Sequence, residues 1–202
     1  MATHTLVNPI YWKSTNNSGP LFRGVALSLA AGGGENPTLK DAASQAYRIG
    51  DLVYVNTSGL LAIVTESTDT VDSPILGQAA RAATGVTSAS AYVLCWRPED
   101  RFLMQVFHAT PASAVTNQNQ IGDVFPIIKD ESGNDTYHID LATTAESATV
   151  ALARVQVVGF PEGEIINGVL STVGDTYGWA IVKPLEFSIA TDGDPLTRTL
   201  QY

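Results

Sequence analysis

One motif occurs twice in this chain, and the repetition limits what the chain can fold into. Ile49-Gly50-Asp51 opens into Leu52-Val53-Tyr54-Val55 and is followed by Ser58-Gly59. Ile121-Gly122-Asp123 opens into Val124-Phe125-Pro126-Ile127-Ile128 and is followed by Ser132-Gly133. Each copy reads as a Gly-Asp corner, a short apolar strand and a turn. Each closes on a strand that ends in a basic residue and proline, Trp96-Arg97-Pro98 and Val182-Lys183-Pro184. Equivalent points lie 72 residues apart at the corners, 74 at the Ser-Gly turns and 86 at the closures, so the second copy carries longer loops. The matching parts are turns and apolar strands, with no shared polar cluster. What has been duplicated is a scaffold rather than a reaction centre.

The 202 residues provide for one large β domain or two small ones. At 45% hydrophobic and 15% charged residues the chain can bury a substantial core. Its net charge of −9 repels nucleic acid, because phosphate binding needs clustered Lys and Arg, and the 11 basic residues here are scattered. The same charge repels anionic membranes. No apolar run approaches the ~20 residues that span a bilayer. Met1–Thr5 shows neither a basic n-region nor an apolar h-segment, which leads us to expect a product made and folded in a cytoplasm. Cys95, the single cysteine, lies in the apolar run Ala91–Trp96 and reads as a buried hydrophobe.

Five segments follow from the punctuation. Residues 1–45 hold dense Gly and Pro breaks, Asn16–Pro20 and Ala30–Pro37, yet also carry Tyr11, Trp12, Leu21, Phe22 and Val25. Aromatic residues are uncommon in disordered tails. The expectation is an extended N-terminal arm that orders against a neighbouring subunit; the rival is a strand pair packed on its own domain. If the former holds, deleting residues 1–36 leaves the β body folded but weakens attachment to a partner.

Residues 46–98 form the first β unit, with strands at Leu52–Val55, Leu60–Val64 and Tyr92–Trp96, and a strand or short Ala-rich helix at Pro74–Ala80. Residues 99–120 connect the units through the strand Arg101–Phe107 and a polar loop. Residues 121–190 form the second β unit, with strands at Val124–Ile128, Tyr137–Leu141, Val150–Phe160 and Gly178–Lys183. In the third of these, Ala151, Ala153, Val155 and Val157 fall on one face and Arg154 and Gln156 on the other. Residues 191–202 read as a loose tail. The fold class is all-β: two tandem small barrel-like or sandwich-like units with an extended N-terminal arm.

No constellation selects a reaction. His4, His108 and His138 stand apart, with no partner at zinc-ligand spacing. Gly32-Gly33-Gly34 lacks the Lys-Ser/Thr of a phosphate loop and reads as a hinge. Asp130–Asp135 and Asp192–Asp194 contain fragments of a calcium loop without its spaced ligand ladder, and acidic turns account for them. No metal, cofactor or catalytic residue is expected. Trp96 and Trp179 read as core; Trp12 reads as a contact residue.

The strand Arg101–Val106, the corner Ile121-Gly122-Asp123-Val124, the Thr/Ala/Ser-rich Leu141–Thr149, the run Leu152–Phe160 and the closing strand Trp179–Lys183 follow in an order that resembles capsid decoration (cement) proteins of tailed bacteriophages. The first copy, with Ile49-Gly50-Asp51 and Ile75-Leu76-Gly77, is similar to small barrel-type phage head proteins. The resemblance implies a non-enzymatic virion protein on the outer face of an icosahedral head. It implies a homotrimer that bridges major capsid protein subunits and has no nucleic-acid or membrane partner. The arm residues Tyr11, Trp12, Leu21, Phe22 and Arg23 are then the expected partner contacts. A tail-tube or baseplate component, a glycan-binding module using Trp12 and, last, an enzyme are the alternatives.

Overall fold

Eight residues, Asp100–Phe107, form the longest strand and the one around which the others assemble. The computed structural model describes residues 2–14, 21–24, 39–56, 58, 60–64, 75–97, 99–130, 135–142 and 154–185. These residues are nearly all β, and their only helical turns are two three-residue 3-10 helices, Pro111–Ser113 and Gln118–Gln120. Strands are numbered in chain order.

One sheet has the order β2 (Leu21–Gly24), β6 (Tyr92–Cys95), β5 (Ile75–Ala79), β3 (Leu52–Val55), β4 (Leu61–Ile63), antiparallel throughout. The second has the order β8 (Val124–Phe125), β11 (Val155–Gly159), β14 (Trp179–Pro184), β7 (Asp100–Phe107), β10 (Thr136–Asp140), β9 (Ile127–Asp130), and β1 (Ile10–Ser14) also pairs with β7. A two-stranded hairpin, β12 (Ile165–Ile166) and β13 (Val169–Leu170), stands apart. The architecture is sandwich-like, with no closed barrel. Within the segment Pro74–Ala80, expected as strand or helix, Ile75–Ala79 is strand β5.

The duplicated corners adopt the same geometry. Gly50 has φ +91° and Gly122 φ +95°, the left-handed region that glycine occupies without a steric penalty. Asp51 N donates to Arg48 O and Asp123 N donates to Gln120 O, each at 3.1 Å, closing equivalent four-residue turns. Each corner then exchanges a pair of bonds with a later strand. In the first, Gly50 N donates to Ala79 O and Ala79 N donates to Asp51 O, both at 2.8 Å. In the second, Gly122 N donates to Val157 O at 2.9 Å and Val157 N donates to Asp123 O at 3.0 Å. Strand partners repeat as well: β3 pairs with β5 as β8 does with β11, and β5 with β6 as β11 does with β14. The copies diverge at Pro126, which splits the segment predicted as one strand over Val124–Ile128. Residues before it pair with β11 and residues after it with β10.

The two copies share one interior. The largest apolar cluster joins Leu52, Val64, Ile75 and Trp96 of the first, through Phe102, Met104 and Val106 of the connecting strand β7, to Tyr137, Ile139, Val155, Val157 and Val182 of the second. Trp96 lies against Phe102 with ring centroids 4.9 Å apart. Between them the chain crosses from one sheet to the other. Arg97 fixes that crossing by donating Nη2 to Asp100 Oδ1 at 2.7 Å and Nε to Asp100 Oδ2 at 2.9 Å. A smaller cluster under the first sheet holds Tyr47, Val53, Leu61, Leu76, Val93 and Cys95, so the cysteine is a buried hydrophobe.

The described part of the arm belongs to this body, which corrects the expectation that it orders only against a neighbour. β1 pairs with β7 and β2 pairs with β6, so the arm contributes a strand to each sheet. Asn8 lies between the copies: its Nδ2 donates to Asp51 Oδ1 at 3.4 Å and its Oδ1 accepts from Tyr137 N at 3.2 Å. Gln78 Nε2 donates to Pro9 O at 2.6 Å. Arg154 is a second correction. Set with Gln156 on the face opposite Val155 and Val157, its side chain is nonetheless buried. Residues 65–74, the Gly32–Gly34 hinge, Thr143–Thr149, Ala151, Ala153 and the tail lie outside the described residues.

Gly50→Ala and Gly122→Ala are each expected to destabilise the protein by about 1–2 kcal/mol through left-handed backbone strain. Gly50→Ala should be the worse, because its Cβ would meet Asn8 Nδ2 at 3.1 Å, whereas nothing lies within 4 Å of one at Gly122. Urea denaturation of both variants checks the order. Deletion of residues 1–24 should lower the unfolding midpoint in the same assay, since it removes a strand from each sheet.

Candidate interaction surface

Among the described residues, large apolar side chains reach solvent at turns, on the short β12–β13 hairpin and at one strand bulge. The two corners each expose the residue before glycine, Ile49 at 69% and Ile121 at 46%. The β12–β13 hairpin exposes Ile165 at 72% and Leu170 at 54%, and these two are direct cross-strand partners. Val86 and Val158 are further exposed positions. Val158 is the extra residue where β11 slips against β14, between the Val157↔Val182 and Gly159↔Ile181 pairs. Its exposure follows the alternation of β11, in which Val155 and Val157 are the buried positions.

The hairpin is rigidly built. Its turn is Asn167-Gly168, with φ +51° and +79°, the two positive values that a type I′ turn demands and that Asn-Gly supplies best. Ser171 N donates to Glu164 O at 2.8 Å and Gly163 N donates to Ser171 O at 3.0 Å, extending the pairing past the strands. Ile166 points inward and joins Leu103 and Trp179 in a third apolar cluster, on which Val7, Ile10, Trp12 and Ile181 pack. Trp12 is the bulged residue of β1, lying between the Tyr11↔Phe102 and Lys13↔Arg101 pairs.

A polar clasp secures the loop after the hairpin. Asp175 is buried; its Oδ1 accepts from Ala2 N at 2.6 Å and its Oδ2 from Thr172 N at 2.9 Å. His4 Nε2 lies 3.1 Å from Asp175 Oδ2. Burial pushes this carboxyl up, but the Ala2, His4 and Thr172 donors outweigh burial and hold it below the usual carboxylate value. Gln105, buried on β7, completes the attachment: its Oε1 accepts from Val7 N at 2.8 Å, and its Nε2 donates to Thr5 O and Tyr177 O at 3.0 and 2.9 Å. His4 and Asp175 are thus a structural pair at the base of the candidate surface.

Elsewhere, Asp135 accepts from Arg48 and from Lys129 Nζ, the latter at 2.6 Å, and so joins the first corner to β9. Arg48 and Asp135 are largely exposed, so solvent screens their pair and it adds little stability. His138 is buried, with Nε2 2.8 Å from Thr136 Oγ1 and its ring stacked on Phe107 at 5.8 Å. Among the described residues no group of three or more His, Cys, Asp or Glu is placed to hold a metal ion. No helix among them is long and apolar enough to cross a membrane.

The expected contact residues are separated by the fold. Tyr11 is half-buried, edge-on to Phe102 with centroids 5.7 Å apart, so its ring faces the shared core. Trp12 projects the other way, onto the third cluster beside the hairpin. Leu21, Phe22 and Arg23 lie in β2 opposite Cys95, Leu94 and Val93. Trp96 and Trp179 are buried core residues. The hairpin itself went unassigned in the sequence, although Ile165-Ile166-Asn167-Gly168-Val169-Leu170 carries the strongest short-range hairpin signal available. Comparison with protein-family models, curated proteins and solved structures finds no significant match.

Burial pushes His138 down to about 4, against a smaller upward pull from Asp130. The unfolded chain binds its proton near the ordinary value of ~6.5. His138 is therefore neutral in the fold across that interval, and stability present above pH 6.5 is lost as pH falls toward 4. The loss is on the order of 3 kcal/mol. Urea midpoints measured from pH 7.5 to 4.5 should show this fall, and His138→Asn should flatten it. An unchanged slope in the variant would assign the titration to another group.

Proposed function

We propose that the protein is a structural component of a tailed-phage virion, bound to the outer surface of the icosahedral head. There it bridges major capsid protein subunits and acts as a homotrimer without catalysing a reaction. The observation that carries this is the exposure of apolar side chains at turn tips, Ile49, Ile121, Ile165 and Leu170, on a duplicated all-β scaffold. Short tips on a stiff body engage a partner with little ordering cost, because the contact geometry is already formed. The order of strands and corners that resembles decoration proteins supports the same role. So does the net charge of −9, which suits a position away from packaged DNA.

A cement acts by linkage. It binds the assembled shell and not the dispersed subunits, so occupancy at about 100 times Kd stabilises each site by about 2.7 kcal/mol. Presentation as a trimer multiplies weak contacts into avidity.

Heads of the parent phage purified without this protein should bind it at a fixed stoichiometry and should then resist heat or chaotrope longer than unbound heads. Electron cryomicroscopy of the reconstituted particles should place it in three-fold clusters on the outer face. Density confined to rings along the tail would instead make it a tail-tube or baseplate part. Binding of sugars on a glycan array, lost in Trp12→Ala, would make it a glycan module.

A further inference from the structure

We infer that the β12–β13 hairpin is the principal docking element, inserting Ile165 and Leu170 into an apolar recess of the partner that is rimmed by Lys and Arg side chains. The inference rests on the head-surface role proposed above and names the contact that would perform it.

Three observations converge on the hairpin. Ile165 and Leu170 are paired across the strands, so they form one continuous patch. Scattered apolar side chains are ordinary on protein surfaces, whereas adjacent ones held at a tip mark contacts. The patch is also pre-organised. Its turn is fixed by Asn167 and Gly168, its inner residue Ile166 is set among Leu103 and Trp179, and the loop behind it is held by Asp175, Thr172, His4 and Ala2. Trp12 packs on that same cluster and lends the hairpin a broad apolar footing.

Charge decides between a foreign partner and a second copy. Glu162 and Glu164, both exposed, directly precede Ile165, and no basic residue lies within residues 161–172. Two copies meeting at this hairpin would bring four carboxylates together, on bodies that each carry −9. A surface with basic residues around an apolar recess meets both features at once, and the carboxylates then speed encounter and fix orientation.

The test uses the full chain and heads of the parent phage lacking it, with binding read by co-sedimentation. Ile165→Ser/Leu170→Ser should weaken binding about tenfold or more, the loss typical of truncated anchor residues. Glu162→Lys/Glu164→Lys should weaken it as well, and 0.5 M salt should weaken the wild type, as screening requires. Ile166 and the Asn-Gly turn are untouched in both variants, and unchanged urea midpoints will show that both stay folded. Val86→Ser, at an exposed apolar position outside the tips Ile49, Ile121, Ile165 and Leu170, is the comparison variant and should bind nearly as the wild type does. Wild-type affinity in Ile165→Ser/Leu170→Ser overturns the hairpin proposal while leaving the head-surface role intact. Absence of wild-type binding overturns both. A fall in oligomer mass of the Ile165→Ser/Leu170→Ser variant by sedimentation equilibrium overturns the choice of partner, because it makes the occupant a second copy.

Discussion

The backbone of β7 must find hydrogen-bond partners along both edges while its side chains are buried on both faces, and most of the fold follows from that requirement. An unpaired buried amide or carbonyl costs free energy comparable to a lost hydrogen bond. β14 lies along one edge, from the Phe102↔Val182 pair to the Trp179↔Gln105 pair, and Val106 N continues the ladder to Gly178 O. No single strand covers the other edge. β1 takes its first half, antiparallel over Asp100–Leu103, and β10 takes the end, parallel at Val106 and Phe107. The first of these comes from the arm and the second from within the second copy. β7 therefore draws together segments distant in sequence. Its side chains do the same: Phe102, Met104 and Val106 enter the shared core, Leu103 enters the cluster under the hairpin, and Gln105 holds the chain start.

This arrangement explains how a duplicated unit became one body. Each copy alone forms a sheet with an exposed apolar face, and short twisted sheets of this size need a second layer to be stable. Facing the copies across Trp96 and Phe102 supplies that layer. The polar groups stranded at the seam are then met by the arm, through Asn8 to Asp51 and Tyr137 and through Pro9 O to Gln78. The arm acts as a seal between the copies, and this accounts for an apolar and aromatic content that exceeds what a free tail would hold.

How much of this was legible in the sequence depended on whether the signal was local. The corners at Gly50 and Gly122 were legible because a positive φ leaves a glycine in the sequence, and β3, β6, β7 and β14 because β-branched and aromatic runs mark strands. The β-hairpin at Asn167-Gly168 was equally local and was passed over, its strands being only two residues each. What failed was non-local. Tyr11 and Trp12 looked like contacts for another molecule because their partners, Phe102 and the hairpin cluster, lie about ninety or more residues away. Neighbouring strand residues point to opposite faces, so Tyr11 meets the shared core and Trp12 the hairpin cluster, and neither layer is visible in the local sequence. Arg154 was assigned outward by alternation alone, but burial is decided by which strand covers it. Pro126 was visible, yet its effect, a change of partner from β11 to β10, depends on where those strands lie.

The placement of exposed apolar groups at tips has a further consequence. A sheet edge offers unpaired amides and carbonyls to any strand, including the same edge of another copy, and such contacts propagate without limit. Here the β4 edge is covered from within: Leu61 N donates to Lys40 O, Ala42 N donates to Leu61 O, and Ile63 N donates to Gln45 Oε1. The five-residue β1 is bulged at Trp12, which spoils it as a flat template. Attraction is thereby moved from backbone edges, which are indifferent to partner, to side chains at a tight turn, which need a recess of matching shape and charge. Under the proposed head-surface role this distinction would matter: self-pairing edges would drive such a protein into fibres before it reached a shell, whereas tips that fit only a foreign surface would leave it dispersed until that surface appeared.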